Sequence, residues 1–341
     1  MPYTTIDQVI TGNIPVLQSY MVEDPVEKTA FMQSGVLTQS GITTSIATGT
    51  SAEALLPFWK SIDAGIEPNY SNDVYEDVAV PRTVGSDEMR ARVAYLNEGF
   101  GSMDLTTELT GQNPLQLVAA RLDNFWARQA QRRLIATVLG IYNDNVANHG
   151  SDMVVSTTAG FDSMAYLDAA ATMGDELNGL GVIAMHRFVY TQLQKQNLID
   201  FVADSDQKTQ IPFYQGQRVV VDSGLPVLGT GADRQFITMI YGPGSIAYGR
   251  GTPYKPEATE RDESRGNGGG AEALWSRRTW LMHPLGYSFT SDTITGNGTE
   301  TTPRSASWSD LALAANWERK LEREHIPFAF LVTGTGTAAA A

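Results

Sequence analysis

Residues 113–148 constrain this chain more than any other stretch. Asn113 is a good helix N-cap, and Pro114 suits the first helical turn because it has no N–H to leave unpaired. Gln116 stands three residues after the cap, at the spacing of a capping box. Leu115, Val118, Leu122, Phe125, Trp126, Leu134, Val138 and Tyr142 then recur at helical spacing, with Arg121, Arg128 and Arg132 largely off that stripe. Some thirty residues at about 1.5 Å each make a rod of roughly 45–50 Å. That is far longer than the mean globular helix. Such a rod serves as the spine of an elongated body. No polar cluster converges on it as a cofactor would require.

The rest of the chain has to be arranged around that rod. Its 341 residues leave room for two or three domains with a sizeable core. Thirty-two Gly and fifteen Pro imply many turns and strands around the helices. The net charge of −14 argues against a general nucleic-acid binder and favours solubility at high concentration. Without cysteine, disulfides, thiolate metal sites and a Cys nucleophile are excluded. That is compatible with a reducing cytoplasm. The first residues lack the basic and apolar regions of a signal peptide, and no run is long and apolar enough to span a membrane. There is no internal repeat.

Residues 1–50 are polar and net acidic, with short apolar islands such as Ile14 to Leu17. They hold too little apolar surface for a core and read as a disordered or extended arm ordered by what it lies on. Residues 55–105 read as a long hairpin lobe. Its expected strands are 75–80 and 89–96 around a turn at 85–87, with Met89, Ala91, Val93 and Tyr95 on one face and Arg90 and Arg92 on the other. An isolated hairpin is marginal in water, so this one needs a neighbour.

A helix is expected from Asp162 or Ser163 to Leu177, with Met164, Leu167, Ala171 and Leu177 inward and Asn178-Gly179 as its stop. Expected next are a buried strand at 182–185, a helix at 186–196, and strands at 218–222, 236–241 and 246–248. This is the order of a compact α+β unit. Residues 251–272 read as an exposed Gly-rich excursion, 274–289 as a strand pair and 292–306 as a loop. Ser309 is expected to cap a short helix at 310–315, and 326–332 to form a closing strand. The tail from Thr333 is low-complexity and reads as frayed.

The search for chemistry is mostly negative. There is no Walker A loop, zinc-protease motif, EF-hand loop or nucleophile elbow. His149, His186, His283 and His325 lie far apart and make no local ligand pair. Asp204-Ser205-Asp206 lacks the Gly and Glu a calcium loop needs at the following offsets. Gly266 to Gly270 do not connect an apolar strand to a helix, as a phosphate cradle would. Glu260 to Glu263 read as a solvated charge run. Asn297-Gly298-Thr299 fits a glycosylation sequon with no secretion signal to give it meaning.

Several collinear stretches resemble the major capsid proteins of tailed bacteriophages, with the Hong Kong 97 type of shell fold. They are Leu109 to Leu115 leading into Trp126 to Ile141; Ala184 to Tyr190 with Leu193 to Asp200; Pro212 to Asp222 with Leu225-Pro226; Tyr241 to Gly249, then Glu260-Arg261-Asp262, Arg277-Arg278 and His283 to Gly286; and Asn316 to Lys320. They cover roughly residues 100–330. No single motif is diagnostic, and the weight lies in their order. The resemblance implies an α+β fold in four parts. These are an N-terminal arm (1–50), an extended hairpin lobe (51–105), a peripheral domain (106–159 and 251–341) carrying the spine helix 113–148, and an axial domain (160–250). Arm and lobe lack their own core because neighbouring subunits would supply one.

The function implied is structural. The chain would assemble with itself into pentamers and hexamers of an icosahedral virion shell, built in the host cytoplasm around double-stranded DNA that it does not read by sequence. Weak contacts suffice when a closed shell repeats them, and an acidic wall does not grip its genome tightly. No catalytic residue, cofactor, metal or membrane is implied. Only about 50 residues precede the lobe, so a separate scaffolding protein is expected, with a portal and decoration proteins as further partners. Candidate inter-subunit contacts are Lys60, Arg82, Arg90 and Arg92 of the lobe, with Glu260, Arg261 and Asp262. Some relatives crosslink a lobe lysine to a neighbour's asparagine; Lys60 is the only lysine of the lobe, and no motif supports the bond. The rival readings are an encapsulin-like nanocompartment of the same fold and a soluble enzyme of unfamiliar type. The enzyme would show a concave polar pocket, the shell subunit large reciprocal contacts.

Overall fold

The computed structural model describes residues 3–4, 34, 36–49, 52–60, 62, 65–111, 113–174, 180–203, 210–290, 293–299 and 301–335. In chain order its elements begin with β1 (Tyr3–Thr4), β2 (Leu37–Gln39), α1 (Gly41–Thr48), β3 (Glu53–Trp59), β4 (Ser86–Met103) and α2 (Asp104–Thr110). The spine helix α3 (Pro114–Asn148), β5 (Val154–Thr157), α4 (Ser163–Ala171), β6 (Val182–Met185) and α5 (Arg187–Lys195) follow. Next come β7 (Asp200–Ala203), β8 (Gln210–Tyr214), β9 (Gln217–Val221), β10 (Val227–Leu228), β11 (Gln235–Tyr241) and β12 (Ile246–Gly251). The chain closes with β13 (Glu257–Asp262), β14 (Ala271–Pro284), β15 (Tyr287–Phe289), α6 (Trp308–Ala312), β16 (Trp317–Arg319) and β17 (Phe328–Thr333).

The spine helix runs 35 residues. Asn113 caps it by accepting from the Leu115 amide at 3.0 Å, rather than through a box with Gln116. Leu115, Leu122 and Trp126 are buried along its first half, as the stripe implies, and from Leu134 to Val138 it is buried all round. A helix apolar on every side has to be packed on every side. At its C-terminal end the Asn145 amide reaches the Asp152 carboxylate at 2.6 Å, and its carbonyl accepts from the Met153 amide. Those bonds fix how the chain leaves the helix.

An eight-stranded sheet ordered β5-β17-β11-β6-β9-β8-β7, with β10 on the edge of β11, supplies one partner. Alternation along its strands sends side chains to two different cores. Val182, Ala184, Val220, Ile237, Met239, Phe328 and Phe330 face the spine helix. Ile183, Met185, Val219, Phe236, Ile240, Ala329 and Leu331 face Tyr166, Ala169, Val189 and Leu193 of α4 and α5. Strands covered on both faces read as continuous apolar runs, as β6 and β17 do. Asp222, 3% exposed, ties sheet to helix by accepting from Gln131 and from the Gly224 amide.

The second sheet is built on β4, which is 18 residues long. Its order is β1-β4-β14-β12-β2, with β3 also on β4 and β13 also on β14. Gly99 on β4 leaves room for the Trp275 ring across the ladder; a Cβ there would lie 2.6 Å from it.

Several expectations change. The expected 89–96 strand pairs with β3 up to Arg92, antiparallel from Glu53↔Arg92 to Trp59↔Ser86, and with β14 from Val93 on, while residues 75–80 form no strand. Within the excursion 251–272 a strand forms, because β13 pairs with β14 over Glu257–Asp262. Residues 274–289 are no strand pair: β14 ladders with β4 and β12, and β15 with β16. Helix α4 buries Tyr166, Ala169 and Ala170, while Met164 and Leu167 face outward. The small residues let that helix approach the sheet closely. Leu177 and the stop at Asn178-Gly179 lie outside the described residues. Ser307, not Ser309, caps the short helix α6, in a capping box with Asp310.

Only part of the expected arm is described. There β2 pairs with β12, and α1, boxed by Ser40 and Thr43, lies on the same strand. Thr43 donates to the Tyr248 carbonyl at 2.7 Å. Gly249 and Gly251 make the approach possible, since a Cβ on either would lie 2.2 or 2.1 Å from a carbonyl of α1.

His283 on β14 is 2% exposed, and burial holds its pKa down to about 4 despite a bond with the Tyr287 backbone. Between pH 6.5 and 4 the unfolded chain takes up a proton there that the folded chain does not. Stability is therefore lost as pH falls through that window, by about 3 kcal/mol in total. Equilibrium urea unfolding at pH 7 and pH 4.5 checks this: His283→Gln should show a smaller acid loss than the native chain. Equal losses would contradict it.

Candidate assembly surfaces

The lobe begins where β3 and β4 leave the body. Lys60 donates its amide to Gly85 at 2.9 Å, closing the ladder, and its ammonium sits 3.4 Å from Asp87. The Glu88 amide, and then Lys60, hold the Asp87 carboxyl below its usual range. Arg90 donates its backbone N–H to Ser288 and lies 3.8 Å from Glu53. Arg92 lies 3.0 Å from Glu53 and above the Phe289 ring, with its side chain 11% exposed. These contacts fasten the base of the lobe to its own chain.

Beyond that base every described residue from 65 to 86 is exposed, and none of 65–85 lies in a helix or strand. Local bonds shape the loop: Tyr70 to Glu67 at 2.7 Å, Arg82 to the Glu67 carbonyl at 2.7 Å, and Asn72 to Asp77 at 2.6 Å. Its apolar side chains have no cover. Tyr75 is 96% exposed and Val78 82%, and Trp59, Ile62, Tyr70 and Val80 are also open. So many uncovered large apolar side chains along one loop make it a candidate interaction surface. Burying one such Val or Ile contributes about 1.5–3 kcal/mol.

The second group of candidates lies at the far end of β4. Asp262 pairs in register with Ala271, which pairs with Met103. At about 3.3 Å per residue this is roughly 50 Å from Lys60. Arg261 reaches Asp104 at 2.6 Å and Glu263 at 2.6 Å. Asp262 accepts from Ser264 at 2.7 Å and Arg265 at 2.9 Å, and Glu260 accepts from the Trp275 indole at 2.9 Å. Gly266, Asn267, Gly268 and Gly270 take positive φ and turn the chain at this tip.

The structure thus places Lys60, Arg90 and Arg92 at the base of the lobe, Arg82 in its loop, and Glu260, Arg261 and Asp262 at the far tip, each with a partner within the chain. The uncovered surface is apolar, and charge-based reasoning missed it. Its signal was partly available: Trp59, Ile62 and Tyr70 are large apolar residues in a polar stretch, while Tyr75, Val78 and Val80 were absorbed by the expected strand at 75–80. Asp104, the partner of Arg261, carried no signal at all. Among the described residues no group of three acidic or imidazole side chains could hold a metal, and no helix is long and apolar enough to cross a membrane.

The fold is that of phage shell subunits, the Hong Kong 97 type, with mixed helix and sheet around a long spine. Over 331 residues the chain is 28% identical to the major capsid protein of Bacillus phage SPP1, covering 96% of this chain and 97% of that protein. The Cyanophage Pam1 capsid subunit superposes with a TM-score of 0.57 at 7% identity, covering 96% of this chain and 99% of that one. The head structure of Helicobacter pylori bacteriophage KHP40 gives 0.53 at 8% identity, with 98% of both chains covered. No family model matches. The resemblance read from the sequence is borne out.

Proposed function

We infer that this protein is the major capsid subunit of a tailed bacteriophage, a structural protein and not an enzyme, whose place is the virion shell. The observation that carries the reading is the lobe: a fastened base and an apolar loop that its own chain leaves bare, on a fold shared with phage capsids. The nanocompartment alternative is not favoured, because the similar proteins are phage capsids.

In this reading the shell closes through pentamers and hexamers. Residues 1–50 act as the arm, 51–105 as the lobe, 106–159 with 251–341 as the peripheral domain, and 160–250 as the axial domain. Sheet continuity supports drawing Val154–Thr157 and Phe328–Thr333 into the axial unit, since β17 ladders with β11 and β5 in turn with β17. Lys60, Arg82, Arg90, Arg92, Glu260, Arg261 and Asp262 steer or brace neighbouring subunits around the apolar contact. Lys60, held at Asp87, braces without a covalent crosslink. A separate scaffolding protein guides closure, a portal occupies one vertex, decoration proteins add outer contacts, and double-stranded DNA is packed without sequence reading. An acidic chain suits a wall that must not hold that DNA tightly.

The test is negative-stain microscopy with light scattering on the purified protein across a concentration series, alone and with the scaffolding protein. Rings or closed shells are expected. A monomer that stays monomeric at every concentration, with scaffold present, would sink the reading.

A further inference from the structure

We propose that a groove beside the spine helix binds an acidic, amphipathic helical segment of a partner protein. The groove, of ≈ 480 Å³, lies among the spine helix, the turn after β9 and α6. Ile135, Leu139, Pro226, Trp308 and Ala312 give it an apolar lining, and Arg128 and Arg132 supply its cations. Arg128, Arg132, Ala136 and Leu139 follow one another at helical spacing. The groove therefore extends along three turns, roughly 16 Å, a length that a helix of about 11 residues fills.

Charge complementarity selects the occupant. The chain as a whole carries −14, yet residues 113–143 hold Arg121, Arg128, Arg132 and Arg133 against Asp123. Arg128 donates its Nε to the Asn124 carbonyl at 3.3 Å and forms no ion pair among the described residues. The Arg132 guanidinium lies 5.4 Å over the Trp308 ring, a stacking that orients its donor edges. The one carboxylate of the groove, Asp222, is buried and taken up by Gln131 and Gly224. Arginines at i and i+4 match carboxylates at the same spacing on a facing helix. A phosphate backbone would use the two cations but not the concave apolar lining, which needs apolar side chains to fill it.

The inference rests on the groove and not on the shell reading, so it is tested on dissociated full-length subunits. The probe is a fluorescein-labelled peptide of about 14 residues with a Leu/Phe stripe at helical spacing and Glu on its flanks. A second peptide carries Lys for Glu, a third scrambles the order, and a duplex DNA oligonucleotide is titrated in parallel. Anisotropy should show the acidic peptide binding at least about tenfold tighter than either control. Hydrogen exchange should slow in residues 128–139 and 308–312. The double substitution Arg128→Glu with Arg132→Glu should erase that preference, and Arg128→Glu alone, which leaves the Arg132–Trp308 stacking intact, should weaken it while thermal unfolding stays in place. Equal affinity for all three peptides would overturn the proposal, as would protection elsewhere. So would duplex DNA responding to the substitutions in place of the peptide, or self-association that the same substitutions abolish, which would make the occupant a second copy of the chain.

Discussion

Replacing Gly140 by Ala should destabilise the subunit by about 3 kcal/mol or more, against the sign expected of a glycine inside a helix. Gly costs a helix interior up to about 1 kcal/mol relative to Ala, and where the backbone is compatible Gly→Ala stabilises. Here the space is taken. A Cβ on Gly140 would sit 2.0 Å from the Leu311 carbonyl oxygen and 2.3 Å from the Trp317 indole nitrogen. Those two atoms are themselves bonded, Trp317 Nε1 donating to Leu311 O at 2.7 Å. The methyl would have to part them, leaving a buried donor or acceptor unmade, or push α6 off the spine. A carbonyl on an ordered helix gives way less readily than the end of a flexible side chain. Part of the cost would spread through the same joint. Asn143 donates to the Ala312 carbonyl at 2.8 Å, and Arg133, buried with its pKa lowered to about 10 by loss of solvent, donates to the Ala306 carbonyl at 2.8 Å. Differential scanning fluorimetry on the purified subunit checks the effect. At about 2–4 °C per kcal/mol for a large chain, the midpoint should fall by roughly 6–12 °C. An unchanged or higher midpoint would show that the spine and α6 are not packed backbone to side chain as described.

The reach of sequence reasoning follows from where each element finds its partner. The spine helix and strands β6, β9, β11 and β17 announce themselves because burial on two faces demands a run of apolar residues that local pattern displays. Elements at sheet edges do not. Strand β13 is Glu-Ala-Thr-Glu-Arg-Asp, polar because it has one neighbour, and only the ladder with β14 makes it a strand. Strand β3 carries Pro57, which argues against a central strand yet is tolerated at an edge. Helix α1 is short and made of small and β-branched residues; its cap is local, but the glycines that receive it, Gly249 and Gly251, lie some two hundred residues away. On α4 Met164 and Leu167 face out while Ala169 and Ala170 pack inward beside Tyr166, so size misleads where close approach decides. The candidate contacts fared as charges do. Lys60, Arg92 and Arg261 found intramolecular partners, and the side chains left over were apolar ones in a stretch read in part as a strand that does not form.

That remainder sets the second large effect. Tyr75→Asp, Val78→Asp and Val80→Asp together should abolish assembly while leaving the isolated subunit as stable as before. All three side chains point into solvent on a loop without helix or strand, so nothing inside the subunit is lost. Exposed substitutions of this kind stay within about 0.5 kcal/mol each. In an assembled contact the balance reverses. Each buried Val contributes about 1.5–3 kcal/mol, and a carboxylate placed in the same pocket adds the cost of desolvating a charge. Losing even about 4 kcal/mol per contact weakens each association nearly a thousandfold. Because a closed shell multiplies its contacts, that loss repeats at every subunit and small capsomers should disappear along with shells. The conservative set Tyr75→Phe, Val78→Ile and Val80→Ile keeps the apolar surface and should keep assembly. Light scattering and microscopy read the assembly, and thermal unfolding reads the subunit. Shells from the Asp variant would free the lobe from any part in assembly. A drop in the subunit's own midpoint would show instead that the loop packs against its own body. Loss of assembly at an unchanged midpoint is the result that ties the bare loop to a neighbouring subunit.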